Sequence, residues 1–238
     1  MNATHQSGSA QPSKSPKKLP LAVSVPLTVG MAFTSAVMPV SAMADQTTAV
    51  VPAAVQQPAP AEVPAADILD VDFAEGTAAD TAQNLPITEH GNPQIELDPA
   101  LDRNAVTFDG ESALQYPFGD QYEQMTDSFS VECVFRYNGD LPSSGQTNLC
   151  ANKEAGGFAV AMFADRLTFE LHTGSYQNIG VQIEPNQWYH AVATFDGADQ
   201  TARLYVNGEL AAEVETVGSE MTWPANTGAH NMTLGADS

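Results

Sequence analysis

The strongest constraint on this 238-residue chain is a period of two in its apolar residues. Leu167, Phe169 and Leu171 alternate with Thr168, Glu170 and His172. The same spacing returns in Ile179, Val181 and Ile183, and in Phe129, Val131, Cys133 and Phe135. Successive side chains of a strand point to opposite faces, so each run predicts a half-buried strand with one wet face. Asn207-Gly208, set between Tyr205-Val206 and Glu209-Leu210, is the pair that accepts positive φ at both central positions of a type I′ turn, and it predicts a two-residue hairpin. Asp109-Gly110, Gly156-Gly157 and Asp196-Gly197 punctuate neighbouring strands. No window carries an apolar stripe at helical spacing, and one helical turn is expected over residues 121–127. Strands separated by turns every 8 to 12 residues or so predict an all-β fold, and so many strands favour two packed antiparallel sheets over a small barrel.

The N-terminal part has another character. Lys14, Lys17 and Lys18 precede an uncharged apolar run over residues 19–40, which reaches Ala42-Met43-Ala44. This predicts a secretory signal over residues 1–44, a secreted protein, and no stable membrane span once the signal is cut. Residues 45–66 are almost entirely Ala, Pro, Val, Gln and Thr and hold no aromatic ring, so they are expected to be a disordered linker. The folded domain is then residues 67–238. The net charge is −21, and all 29 acidic residues lie beyond Ala44 against 5 basic ones there. Nucleic acid is excluded as a partner, because neutralising its backbone takes clustered Lys and Arg.

Residues 128–137 (SFSVECVFRY), 188–197 (WYHAVATFDG), 204–213 (LYVNGELAAE) and 232–237 (MTLGAD) stand in an order and spacing that resembles the laminin G-like, concanavalin A-like jelly-roll family. Residues 105–117 (AVTFDGESALQYP) are similar to that family's early hairpin. The resemblance implies a jelly roll of two antiparallel sheets, usually a secreted binding or adhesive module. It also implies a final strand beyond residue 238, lying near a first strand over residues 68–73. The domain is therefore expected to be C-terminally incomplete: a fragment of a longer protein, or a domain finished by another chain. Residues 132–136 and 150–160 further resemble domains set ahead of secreted metallophosphoesterases, which would make a downstream catalytic domain a partner.

Cys133 and Cys150 are the two cysteines of the chain, both in its exported part. An oxidising compartment predicts a disulfide between them, worth about 3 kcal/mol in the chain-entropy model; two separate buried thiols are the other reading. Arg136 and Lys153 are the cations nearest in sequence, too few to lower a thiol pKa for catalysis.

Chemistry-bearing patterns are sparse. Asp70 and Asp72, and separately Glu213 and Glu215, stand two positions apart on predicted strands, which sets each pair on one face roughly 6.5 to 7 Å apart. That separation suits the two acids of a glycosidase, yet alternation of Asp70 and Asp72 with Leu69, Val71 and Phe73 reads as a solvated strand face. No cofactor is required. Calcium is the metal that suits an acidic exported domain, with Asp196 and Asp199 as ligands and Asp109 or Asp165 as an extra one, although two acids in a turn fall short of six to eight oxygens. His90, His172, His190 and His230 show no zinc pattern. For a glycan or cell-wall polymer, the candidate binding residues are two loop aromatics, Trp223 and Tyr176. The resulting expectation is a secreted, non-catalytic binding module, with a glycan-cleaving enzyme and an accessory domain of a hydrolase as its rivals.

Overall fold

The computed structural model describes residues 21–24, 65–139, 145–153, 155–223 and 231–236. Most of the expected signal and linker, residues 1–20 and 25–64, therefore lies outside the described residues. Fourteen strands and one helical turn run in the order β1 Leu21–Ser24, β2 Thr88–His90, β3 Gln94–Asp98, β4 Arg103–Phe108, β5 Ala113–Tyr116, α1 Gln121–Gln124, β6 Ser128–Arg136, β7 Gln146–Asn152, β8 Phe158–Phe163, β9 Arg166–His172, β10 Tyr176–Gln182, β11 Trp188–Asp196, β12 Thr201–Val206, β13 Glu209–Glu215 and β14 Met232–Leu234. They form two seven-stranded sheets, ordered β13-β12-β11-β6-β1-β4-β3 and β10-β9-β8-β7-β14-β5-β2, with every pairing antiparallel.

The alternating runs become the facing surfaces of the two sheets. In the first, β6 and β11 pair along their whole length, with Phe129 opposite Phe195, Val131 opposite Ala193 and Cys133 opposite Ala191. In the second, Leu167, Phe169 and Leu171 pair with Met162, Val160 and Phe158, and all six are buried. Phe129 reaches across the layers: its ring centroid lies 5.0 Å from Phe158, 6.2 Å from Phe169 and 6.1 Å from Phe195. Tilted and edge-on pairs of this kind add about 0.5–1.5 kcal/mol each beyond the area they bury. At the β12–β13 corner, Asn207 (φ 52°) and Gly208 (φ 83°) form the predicted two-residue hairpin, with Val206 opposite Glu209.

Two sequence expectations are corrected. Residues 105–117 are not a hairpin, because β4 belongs to the first sheet and β5 to the second. Asp109 accepts hydrogen bonds from Glu111 N and Ser112 Oγ, both at 2.9 Å, and so turns the chain from one layer to the other. These bonds to the anion, the Glu111 amide first, hold the Asp109 carboxyl below its usual range. Residues 68–73 are not a strand either. Phe73 takes φ 55° and is fully buried, and Asp80 organises the segment by accepting hydrogen bonds from the amides of Asp70, Ala82, Gln83 and Leu85 at 2.9, 3.0, 3.2 and 2.9 Å. Four backbone donors converging on one carboxylate are stronger than a marginal edge pairing.

The thiols are free and buried, which corrects the expected disulfide. β6 and β7, adjacent in sequence, lie in opposite sheets, so Cys133 and Cys150 approach the core from different layers. The Cys150 sulfur packs at 3.3 Å against the Met232 sulfur. Burial pushes the Cys150 thiol up to about 12 and the Cys133 thiol well above its ordinary value, so neither is a nucleophile at neutral pH.

Candidate functional site

The site grows from one edge of the second sheet. β10 is the outermost strand there and pairs with β9, placing Tyr176 opposite His172 and Asn178 opposite Glu170. Phe169, Leu171 and Ile179 face the core, so the alternate residues Glu170, His172, Tyr176 and Asn178 share the outer face. Lys153, just past the end of β7, joins them by an ion pair with Glu170 Oε2. Its ammonium lies 5.5 Å from the centroid of the Tyr176 ring. Asn178 Nδ2 donates to Glu170 Oε1 at 2.6 Å, so both carboxylate oxygens are engaged.

Tyr176 is 47% exposed yet well fixed. Its hydroxyl donates to the Gly156 carbonyl oxygen at 3.1 Å and accepts from Gly156 N at 2.9 Å, and the His172 ring meets it edge-on at 4.6 Å. With Lys153, Ala155, Glu170, Gln177 and Asn178 it lines a shallow depression of about 420 Å³. Among the described lining residues, Lys153 and Glu170 pair as one cation and one anion beside the aromatic wall.

The two aromatic candidates thus part company. Trp223 packs on the domain itself, 4.8 Å from Tyr122 and 6.3 Å from Phe158, and its Nε1 donates to Thr126 Oγ1 at 3.2 Å. Its ring is half-buried and held by these contacts, whereas the Tyr176 ring stands exposed. Trp223→Ala is expected to destabilise the domain by about 2–3 kcal/mol, less than a fully buried Trp, and to leave ligand affinity unchanged; chemical denaturation and titration of the same protein check both.

The acids sort in the same way. Asp196 Oδ1 accepts from the amides of Ala198 and Asp199, at 3.0 and 3.2 Å, as a turn acid does. Asp109 caps its own turn and Asp165 Oδ2 accepts from Gln182 Nε2. Among the described residues, no group of three or more His, Cys, Asp or Glu is placed to hold a metal ion. Asp70 binds the Thr81 hydroxyl and Asp72 the Ala74 amide in an irregular segment and so are not a strand-face pair, while Glu213 pairs with Arg203 on the outer face of β12 and β13.

Lys153, Glu170 and Asn178 escaped the reading of the sequence. Even-numbered outer positions on β9 and β10 were the signal for Glu170 and Asn178. Lys153 offered none, because it comes from the far end of β7.

A family model described as the concanavalin A-like lectin/glucanases superfamily matches residues 108–238. The chain belongs to this superfamily. No curated protein matches its sequence. Among solved structures, this concanavalin A-like chain is similar to the binding domain of botulinum neurotoxin DC in complex with SialylT (TM-score 0.55, 19% identity, 71% of this chain and 42% of that one). It is also similar to that binding domain in complex with rat synaptotagmin II (TM-score 0.52, 18% identity, 71% and 43%) and to the serotype D/C VPI 5993 binding domain (TM-score 0.51, 17% identity, 72% and 49%). The chain spans less than half the length of each of these structures, and at such identities the likeness is one of fold. Among the described residues, no helix is long and apolar enough to cross a membrane.

Proposed function

We propose that this domain is an exported, non-catalytic module that binds carbohydrate, and that the Tyr176 recess is where it does so. One observation carries the reading: an exposed aromatic ring, held by two hydrogen bonds to Gly156, forms the wall of a polar depression of about 420 Å³. Sugars present apolar C–H faces ringed by hydroxyls. A rigid ring suits the faces, and the nearby amides and paired charges suit the hydroxyls. The net charge of −21 favours an uncharged glycan over an anionic one, which the acidic surface would repel. Loop and edge display on a stiff sandwich supports recognition without any moving part. The botulinum binding domain solved with SialylT shares the fold, which supports a binding role over a cutting one. The basic, apolar and small-residue order of residues 1–44 supports export.

Isothermal titration of the full chain with neutral gluco-, manno- and galacto-oligosaccharides is expected to show saturable binding to at least one. Tyr176→Ala weakens it about tenfold or more, equivalent to about 1.4 kcal/mol. Tyr176→Phe keeps the ring, loses the hydroxyl bonds and falls between the two. A folded protein that binds nothing in the panel, or that binds equally well without the ring, would overturn the proposal.

A further inference from the structure

Lys153, Glu170 and Asn178 bring together an amine, a carboxylate and a carboxamide. Lys153 Nζ pairs with Glu170 Oε2, and Asn178 Nδ2 donates to Glu170 Oε1 at 2.6 Å. The amine and the amide are thus held on the two oxygens of one carboxylate. Glu170 and Lys153 are also largely withdrawn from water, with 16% and 23% of their side chains exposed.

Three features of the fold assemble this group. β9 and β10 set Asn178 directly opposite Glu170, and opposite residues of an antiparallel pair carry their Cβ atoms about 4.5–5.5 Å apart. On its other side Glu170 faces Ala159 of β8, fully buried and bearing just a methyl group, which leaves that face clear for a long side chain arriving from β7. The turn after β7 is drawn towards β10 by the two bonds between Gly156 and the Tyr176 hydroxyl, and the Lys153 ammonium ends 5.5 Å from the centroid of the Tyr176 ring. Tyr176 and Asn178 are two positions apart on one face of β10, so the amine stands over the same face that carries the amide. An ion pair alone has no need of a third member; an amine beside a carboxamide, with a carboxylate between them to carry protons, has a reaction open to it.

We propose that this triad is a self-modification site, at which Lys153 and Asn178 join through an intramolecular isopeptide bond. Glu170 takes one proton from the Lys153 ammonium, and the freed lone pair of Nζ attacks Asn178 Cγ. As the Nζ–Cγ bond forms, Nζ gives up a second proton. As the Cγ–Nδ2 bond breaks, Nδ2 leaves with the bonding pair and collects both protons by way of Glu170, departing as ammonium. One ammonium group and one carboxamide become one secondary amide and one ammonium ion, so atoms and charge balance and nothing is oxidised or reduced. The new amide keeps an N–H for Glu170 Oε2. The link fastens the edge strand β10 to the end of β7 across β8 and β9, and a covalent bridge of this kind stabilises a domain largely by restricting its unfolded chain. It goes beyond the carbohydrate reading and does not rest on it: the link is read by mass, binding by titration.

The full chain, kept folded until its mass stops changing, is expected to be lighter by one ammonia than its sequence requires, and its proteolytic digest to hold a branched peptide joining Lys153 to Asn178. Glu170→Gln, which preserves shape, and Lys153→Arg, which preserves charge, should both keep the full mass and give linear peptides only. Circular dichroism confirms that each variant is folded, and the linked chain should melt about 5–10 °C above either. Full mass with linear peptides in the folded wild type overturns the proposal. So does a loss of ammonia that maps to a linear succinimide peptide at Asn207-Gly208, or a branched peptide formed equally well in Glu170→Gln.

Discussion

Gly157→Ala is expected to lower the stability of the domain by about 3–5 kcal/mol. Gly157 takes φ +75°, a conformation costing an alanine about 1–2 kcal/mol. A Cβ there would stand 1.7 Å from the Asn152 carbonyl oxygen and 2.8 Å from its carbon, both backbone atoms of the strand that precedes the turn. No side-chain rotation relieves such a clash, so the β7–β8 connection must move. That connection is tied at both sides: Gly157 N donates to Thr222 O at 2.8 Å, and its carbonyl accepts from His172 N at 3.0 Å. At about 2–4 °C per kcal/mol for a domain of this size, the melting temperature is expected to fall by about 10 °C. The neighbouring Gly156 anchors the Tyr176 hydroxyl, so carbohydrate affinity should fall with it. Thermal melts followed by circular dichroism check the first effect; a shift below about 2 °C would show that the turn yields easily.

Asp80→Ala is the second large loss, about 3–4 kcal/mol. The carboxylate is 3% exposed and accepts the amides of Asp70, Ala82, Gln83 and Leu85. Deleting it strands donors that water reaches poorly, and stranded buried donors cost about 1–3 kcal/mol each when none is rescued. The damage should be local at first. Residues 67–85 hold Val71 and Phe73 in the core, and the Tyr116 hydroxyl donates to the Ala78 carbonyl at 2.7 Å inside the same segment. Hydrogen exchange is expected to accelerate there before the β6–β11 pair loosens. Asp80→Asn keeps the shape and one acceptor oxygen, and should recover about half of the loss. Equal exchange in wild type and Asp80→Ala would show that Asp80 is not the organiser of this segment.

Local order was legible in the residues themselves. The alternation in β6, β9 and β10, the Asn207-Gly208 hairpin and the helical turn α1 follow from side-chain period and allowed φ, which depend on near neighbours alone. The family match over residues 108–238 rests on the same strands. What lay beyond reach were decisions between distant segments. Whether β4 and β5 pair or part, which sheet receives each cysteine, and whether residues 68–73 form a strand or wrap around Asp80 depend on competing partners that no local window contains. Tyr176 was visible as a polar-flanked aromatic, but Trp223 looked equally suitable until Tyr122 and Phe158 closed on its ring.

Sequence by itself therefore determined the material of the sandwich: strands with one oily face, turns that admit positive φ, and an acidic exterior. Tertiary structure alone decided the partition of those strands between layers and the meeting of Lys153, Glu170, Tyr176 and Asn178 at one edge. The physical reason is that periodicity states which face of a strand must be buried, whereas the identity of what buries it is settled only when all the faces compete at once.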